Sequence, residues 1–115
     1  MKLSQKQQAF AVLVAKLILE AKTRKYAVTL GEAYRSPEEA ARLAGQGKGI
    51  VRSLHTQRLA IDLNVFIDGI YQTRSEAYRP LGLWWEAQST PEVQCCWGGR
   101  FGDGNHFSVA HQGRK

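Results

Sequence analysis

Cysteine and proline are scarce in this sequence, and no apolar run is long. Each shortage removes a class of answer. Cys95 and Cys96 are adjacent, a spacing that strains a mutual disulfide and lacks the Cys-x-x-Cys form of a metal knuckle. They are expected to be buried small hydrophobes. The apolar run from Ala9 to Leu19 is interrupted by Lys16 and closed by Glu20, and no small-residue cleavage pattern follows it, so no signal peptide is expected. Nothing is apolar enough over the roughly 20 residues needed to span a bilayer. Repeats, linkers and blocks of Lys or Arg are missing too. With 115 residues, the chain is expected to form one domain, 1–115, around a single core, with no separate wall-binding domain.

What is present is ordinary globular composition, 43% hydrophobic and 23% charged, with a net charge of +6. That excess favours an acidic partner: nucleic acid, an anionic membrane surface or an anionic cell-wall polymer. The charges are scattered, so they say little about which.

Periodicity supplies the elements. Phe10, Leu13, Val14, Leu17, Ile18 and Ala21 recur at helical spacing and predict an amphipathic helix over 4–25, capped by Ser4. The run 27–35 is strand-like up to its polar end. Ser36, Pro37 and Glu39 form a helix start with a capping box, and that helix runs into the glycine-rich 45–49. This stretch lacks P-loop spacing and follows a helix, so it reads as a mobile connection rather than a phosphate cradle. A strand over 59–67 meets the hairpin signal Asp68-Gly69 and continues into 70–72. Thr73 and Glu76 suggest a second capping box, with Pro80 dividing the helix that follows. Residues 105–110 alternate as a last strand. The order predicts an α+β fold: a small, mostly antiparallel sheet with helices packed on one face. Trp84, Trp85 and Trp97 are expected in the core, and His111 on the surface.

Alternation also sorts the chemistry. In SLHTQRLAIDLNVF (53–66), Leu59, Ile61, Leu63 and Val65 share the core face, while Ala60, Asp62 and Asn64 point the other way. Phe107 and Val109 likewise share one face, His106 and Ser108 the other. If these strands are neighbours, Asp62 and His106 converge, and His55 reaches them when its loop doubles back. Two imidazoles and one carboxylate make a three-ligand set typical of catalytic zinc, with a fourth position left for water.

SLHTQRLAIDLN resembles the S-x-H-x-x-G-x-A-x-D motif of the zinc D-alanyl-D-alanine carboxypeptidase family, which includes vancomycin-resistance peptidases and phage endolysins. CWGGRFGDGNHF resembles the C-terminal motif of its endolysin branch, the L-alanyl-D-glutamate endopeptidases, through Trp97, Gly98, Gly99, Phe101, Asp103, His106 and Phe107. EAYRS (32–36) resembles the family's substrate-side arginine motif. The resemblance implies zinc at His55, Asp62 and His106, a catalytic acid/base at Asp103, and an assisting cation at Arg35 that also contacts substrate. Ser53 is expected to orient the ligand loop and to face the substrate. Arg58 stands where the family usually has Gly, which predicts an altered path after His55. Asp103 replaces the Glu of the carboxypeptidase branches, in keeping with the endolysin branch.

The implied protein is a monomeric zinc peptidase acting on peptidoglycan. It is stored in a host cytoplasm and acts on the periplasmic wall once another protein opens the membrane, and its charge draws it to the anionic envelope. Carboxypeptidase action on D-Ala termini is the alternative within the family. A non-haem iron oxygenase also uses two His and a carboxylate, but on a larger jelly roll and usually spaced H-x-D. A basic nucleic-acid-binding domain would show salt-dependent DNA binding indifferent to chelators; nucleic acid is not the expected partner.

Overall fold

One strand organises the core. The structure, a computed structural model, describes residues 1–49 and 53–115. Strand β2, Ala60–Ile67, sits inside the sheet, with β1 (Ala27–Leu30) on one side and β5 (His106–Val109) on the other. β4 (Cys95–Trp97) extends the sheet beyond β5, and β3 (Ile70–Tyr71) pairs with the end of β2. Every one of these pairings is antiparallel, so the predicted α+β class holds.

The alternating residues do what period two demands. Leu59, Leu63 and Val65 are fully buried and Ile61 nearly so, whereas Asp62 and Asn64 are only half-buried. The buried side chains pack with Phe10, Leu17 and Ala21 of α1 (Leu3–Thr23) and with Tyr78, Leu81 and Trp85 of α3 (Ser75–Ala87). Burying each of the larger apolar groups contributes about 1.5–3 kcal/mol. Phe10 and Phe107 meet Trp85 edge-on from either side, at centroid distances of 5.9 and 6.0 Å. The indole nitrogen of Trp85 donates to the Ser108 carbonyl. Trp97 is buried too, and Trp84 packs partly against the core. Cys95 and Cys96 are buried free thiols, and burial pushes both pKa values up, Cys95 to about 11.

Several predicted boundaries move. The first helix starts at Leu3 with Lys2 as N-cap, not Ser4, because the Gln5 side chain reaches back to accept the Lys2 N–H at 2.8 Å. β1 stops at Leu30 rather than 35; residues 31–35 turn their backbone groups toward β2 and the turn carrying His55. α2 (Pro37–Gly45) is capped as predicted, with Ser36 Oγ accepting the Glu39 N–H at 3.0 Å. Thr73 makes no cap for α3; the N-cap is Arg74, without a side-chain bond. Nor does Pro80 divide that helix. Tyr78 before it and Leu81 and Trp85 after it are all buried, so core packing carries the helix through the lost backbone bond. The Asp68-Gly69 hairpin forms as predicted, both residues in the left-handed region at φ 53° and 78°.

α1 and α3 cover the core face of the sheet and touch each other. The opposite face keeps Asp62, His106 and Ser108. No helix of the described residues is long and apolar enough to cross a membrane.

Candidate metal centre

Antiparallel register places Asp62 directly opposite His106. Neighbouring strands hold directly opposed Cβ atoms about 4.5–5.5 Å apart, so both side chains emerge together on the sheet's second face. His55 arrives from a single 3₁₀ turn, Leu54–Gln57, just before β2. Ser53 starts that turn, its Oγ accepting the His55 N–H at 3.2 Å. Arg58 ends it at φ 55°, a conformation glycine would adopt without strain. The arginine keeps this left-handed path, with its guanidinium 4.1 Å over the Tyr34 ring.

The segment after β1 closes over the turn. The Arg35 N–H donates to the His55 carbonyl at 3.1 Å, and His55 Nδ1 lies 3.3 Å from the Ala33 carbonyl. When Nδ1 carries the proton and donates it to that carbonyl, the Nε2 lone pair is the one that faces Asp62. Asp62 Oδ1 then stands 3.4 Å from His55 Nε2 and 3.5 Å from His106 Nδ1. One ligand atom from each of the three residues lies within 4.8 Å of the other two.

These side chains fit a metal ion. Asp62 Oδ1 is buried without a hydrogen-bond partner, between two imidazole nitrogens. An orphaned buried carboxylate oxygen costs free energy unless a positive group faces it, and two N donors with one O donor suit zinc. Electrostatics point the same way. Burial raises the Asp62 pKa, but the neighbouring His106 and His55 rings outweigh it and hold the group at about 2. Burial lowers the His55 pKa, yet Asp62, the Ala33 carbonyl and Glu32 together raise it above its ordinary 6.5. The trio favours positive charge between its members.

Around it opens a cleft of about 630 Å³, lined among others by Arg35, Ser53, Phe101 and Asp103. Asp103 is half-exposed, its Oδ2 3.9 Å from His106 Nδ1. The Arg35 guanidinium pairs with Glu32, whose carboxylate also lies 3.8 Å from His55 Nδ1. His111 stands outside this cluster, half-buried beside Lys6 Nζ at 3.3 Å.

Four residues support the site through contacts that the sequence reading did not assign. Glu32, the first residue of EAYRS, links Arg35 to His55. Ser75 accepts the Gly104 N–H at 3.0 Å while the Trp97 indole donates to the Gly104 carbonyl at 2.8 Å, so the peptide beside Asp103 is held from both sides. Gly98 lies under the site. A Cβ there would meet the Asp103 carbonyl oxygen at 2.3 Å and His106 Cβ at 2.7 Å. Gly98→Ala is therefore expected to shift His106 and weaken metal binding about 10–100-fold, as loss of a ligand's support typically does. A metal titration with unchanged affinity would show that the backbone relaxes instead.

An α+β domain with two imidazoles and a carboxylate on the open face of its sheet defines the class. No family profile matches the sequence, and no curated protein matches it. Among solved structures, the chain is similar to the L-Ala D-Glu endopeptidase ChiX of Serratia marcescens. The TM-score is 0.55 with 20% identity, over 73% of this chain and 67% of that one. At that identity the likeness is one of fold.

Proposed function

We propose that this protein is a zinc-dependent peptidoglycan peptidase that hydrolyses the L-alanyl-D-glutamate bond of stem peptides. The observation that carries the reading is the His55–Asp62–His106 trio, set in an open cleft on a fold shared with an L-Ala D-Glu endopeptidase. Bound by these three residues, zinc would acidify a water from a pKa of about 15.7 to about 7 and polarise the scissile carbonyl.

The chain's own groups supply the rest. Asp103 lines the same cleft with an exposed carboxylate, placed to take a proton from water and return it to the leaving amine. Arg35 stays cationic at any working pH; Glu32 fixes its guanidinium, whose remaining donors serve a substrate oxygen. Ser53, buried at the cleft wall, holds the His55 turn and keeps its hydroxyl hydrogen for a second partner. Without a route for this proton transfer, a metal-binding trio alone would favour a recognition domain; Asp103 favours catalysis.

Digestion of purified murein tests the reading. Mass spectrometry is expected to find new peptides with N-terminal D-Glu. Release of free D-Ala without them would instead make the protein a carboxypeptidase, and no product at all with zinc bound would end the peptidase proposal.

A further inference from the structure

A second, smaller hollow adjoins the cleft at Asp103, which lines both. It has a volume of about 170 Å³ and lies between loop 102–105, the start of α3 and the chain leaving β3. Among its side chains beyond Asp103, only Ser75 has a role so far, accepting the Gly104 N–H.

Its lining has one chemical character. Tyr71, Gln72, Thr73, Ser75 and Asn105 bring hydroxyls and amides, and no Lys, Arg or His lines it among the described residues. Several of these groups are uncommitted. The Tyr71 and Thr73 hydroxyls make no hydrogen bond among the described residues, and Asn105 donates its amide to Asn64 at 3.4 Å while its side-chain carbonyl stays unbonded. Tyr71 is 48% exposed, its ring braced by that of Phe66 at a centroid distance of 5.4 Å. The depression thus offers an apolar ring face and several hydrogen-bonding groups, but no positive charge.

The two flanks of the proposed scissile bond differ in the same respect. On the D-Glu side the stem peptide is acidic. On the L-Ala side it is joined, through a lactyl group, to an uncharged N-acetylated amino sugar. A hollow without a cation, walled at one end by the Asp103 carboxylate, repels an acid and suits a neutral sugar. Reach agrees with this. One residue and the lactyl group span roughly 7 Å, about two extended residues, and the hollow begins at the residue placed beside the scissile bond.

We propose that this depression is a saccharide subsite. It takes the N-acetylated amino sugar on the L-Ala side, with the sugar ring against Tyr71 and its hydroxyl and acetamido groups on Thr73 and Asn105. This rests on the peptidase reading above and adds a substrate class to it: stem peptides still attached to the glycan strand, rather than free peptides.

Two substrates with the same peptide test this with the zinc-loaded protein, one carrying the N-acetylated muramyl sugar on L-Ala and the other a plain acetyl group. The expected KM is about three- to tenfold lower for the sugar-bearing substrate, the gain that one added hydrogen bond allows. That preference should fall close to one in Tyr71→Ala and shrink in Thr73→Val, which removes an exposed hydroxyl and keeps the branched shape. Equal KM values for the two substrates, or a preference that both variants keep, would overturn the subsite while the peptidase reading stood. If neither substrate is cut, that reading fails, and calorimetric titration still decides. Tighter binding of the sugar-bearing substrate that Tyr71→Ala abolishes would support the subsite, and equal affinities would overturn it.

Discussion

Adding zinc to chelator-stripped protein is expected to raise its melting temperature by about 10–20 °C. The size follows from mass action. Metal at roughly 1,000 times its dissociation constant stabilises the folded state by about 4 kcal/mol, and in a domain near this length each kcal/mol moves the midpoint by about 4 °C. The shift should vanish in His106→Gln, which keeps the bulk of a buried residue but removes the imidazole facing Asp62. Peptidase activity should vanish with it and return in the wild type when zinc is restored. A zinc-induced shift retained by His106→Gln would refute the ligand assignment. An undiminished turnover after complete removal of metal would refute the mechanism.

The same shift has a pH dependence whose sign is fixed by the site. In the metal-free protein, His55 has a raised pKa, so its contribution is full below the ordinary 6.5 and fades as pH rises through the folded value. Asp62 is depressed to about 2, so its contribution is full above the ordinary 3.8 and fades as pH falls toward 2. Between those limits the metal-free trio is at its best. Zinc must displace the proton that His55 holds, so its advantage over the metal-free state should grow as pH rises from 6 toward 8. Thermal melts with and without zinc across that range measure it directly.

How much of this was legible beforehand differs between the strands and their supports. Period-two alternation is a local property, so the core face of β2 and the outward direction of Asp62 could be read from residues 59–67. Asp62 and His106 lie opposite each other because β2 and β5 pair, which alternation allows and only the tertiary fold decides. His55 follows from a local device, Ser53 capping its own 3₁₀ turn two residues ahead. Glu32 and Gly98 fall inside the quoted motifs, but nothing local announces what the supports touch. Glu32 reaches His55 across 23 positions, Ser75 reaches Gly104 across 29, and Gly98 is needed because two backbones and a ring meet there. Where the reading failed, packing overrode a local rule: Pro80 signals a break, but the buried residues on both sides of it hold α3 together.

Asp103→Asn is expected to lower kcat by about 10²–10⁴-fold, the usual contribution of a positioned acid/base, while leaving fold and metal intact. Each part of that expectation has its own ground. The side chain is 54% exposed and, among the described residues, forms no hydrogen bond that holds the loop. What shapes the loop is backbone: the Asp103 N–H donates to the Gly98 carbonyl at 2.9 Å, and the His106 N–H to the Asp103 carbonyl at 3.1 Å. Asn keeps both and suits the same irregular turn. Asp103 also stands outside the trio, so zinc content should match the wild type. What the amide cannot do is accept the proton that a carboxylate accepts. Unchanged KM with lost kcat would place the defect in the chemical step, where proton transfer belongs. Near-normal kcat with zinc retained would reduce Asp103 to a surface turn residue. Loss of zinc would instead mean that its carboxylate, 3.9 Å from His106 Nδ1, helps to hold the ligand ring.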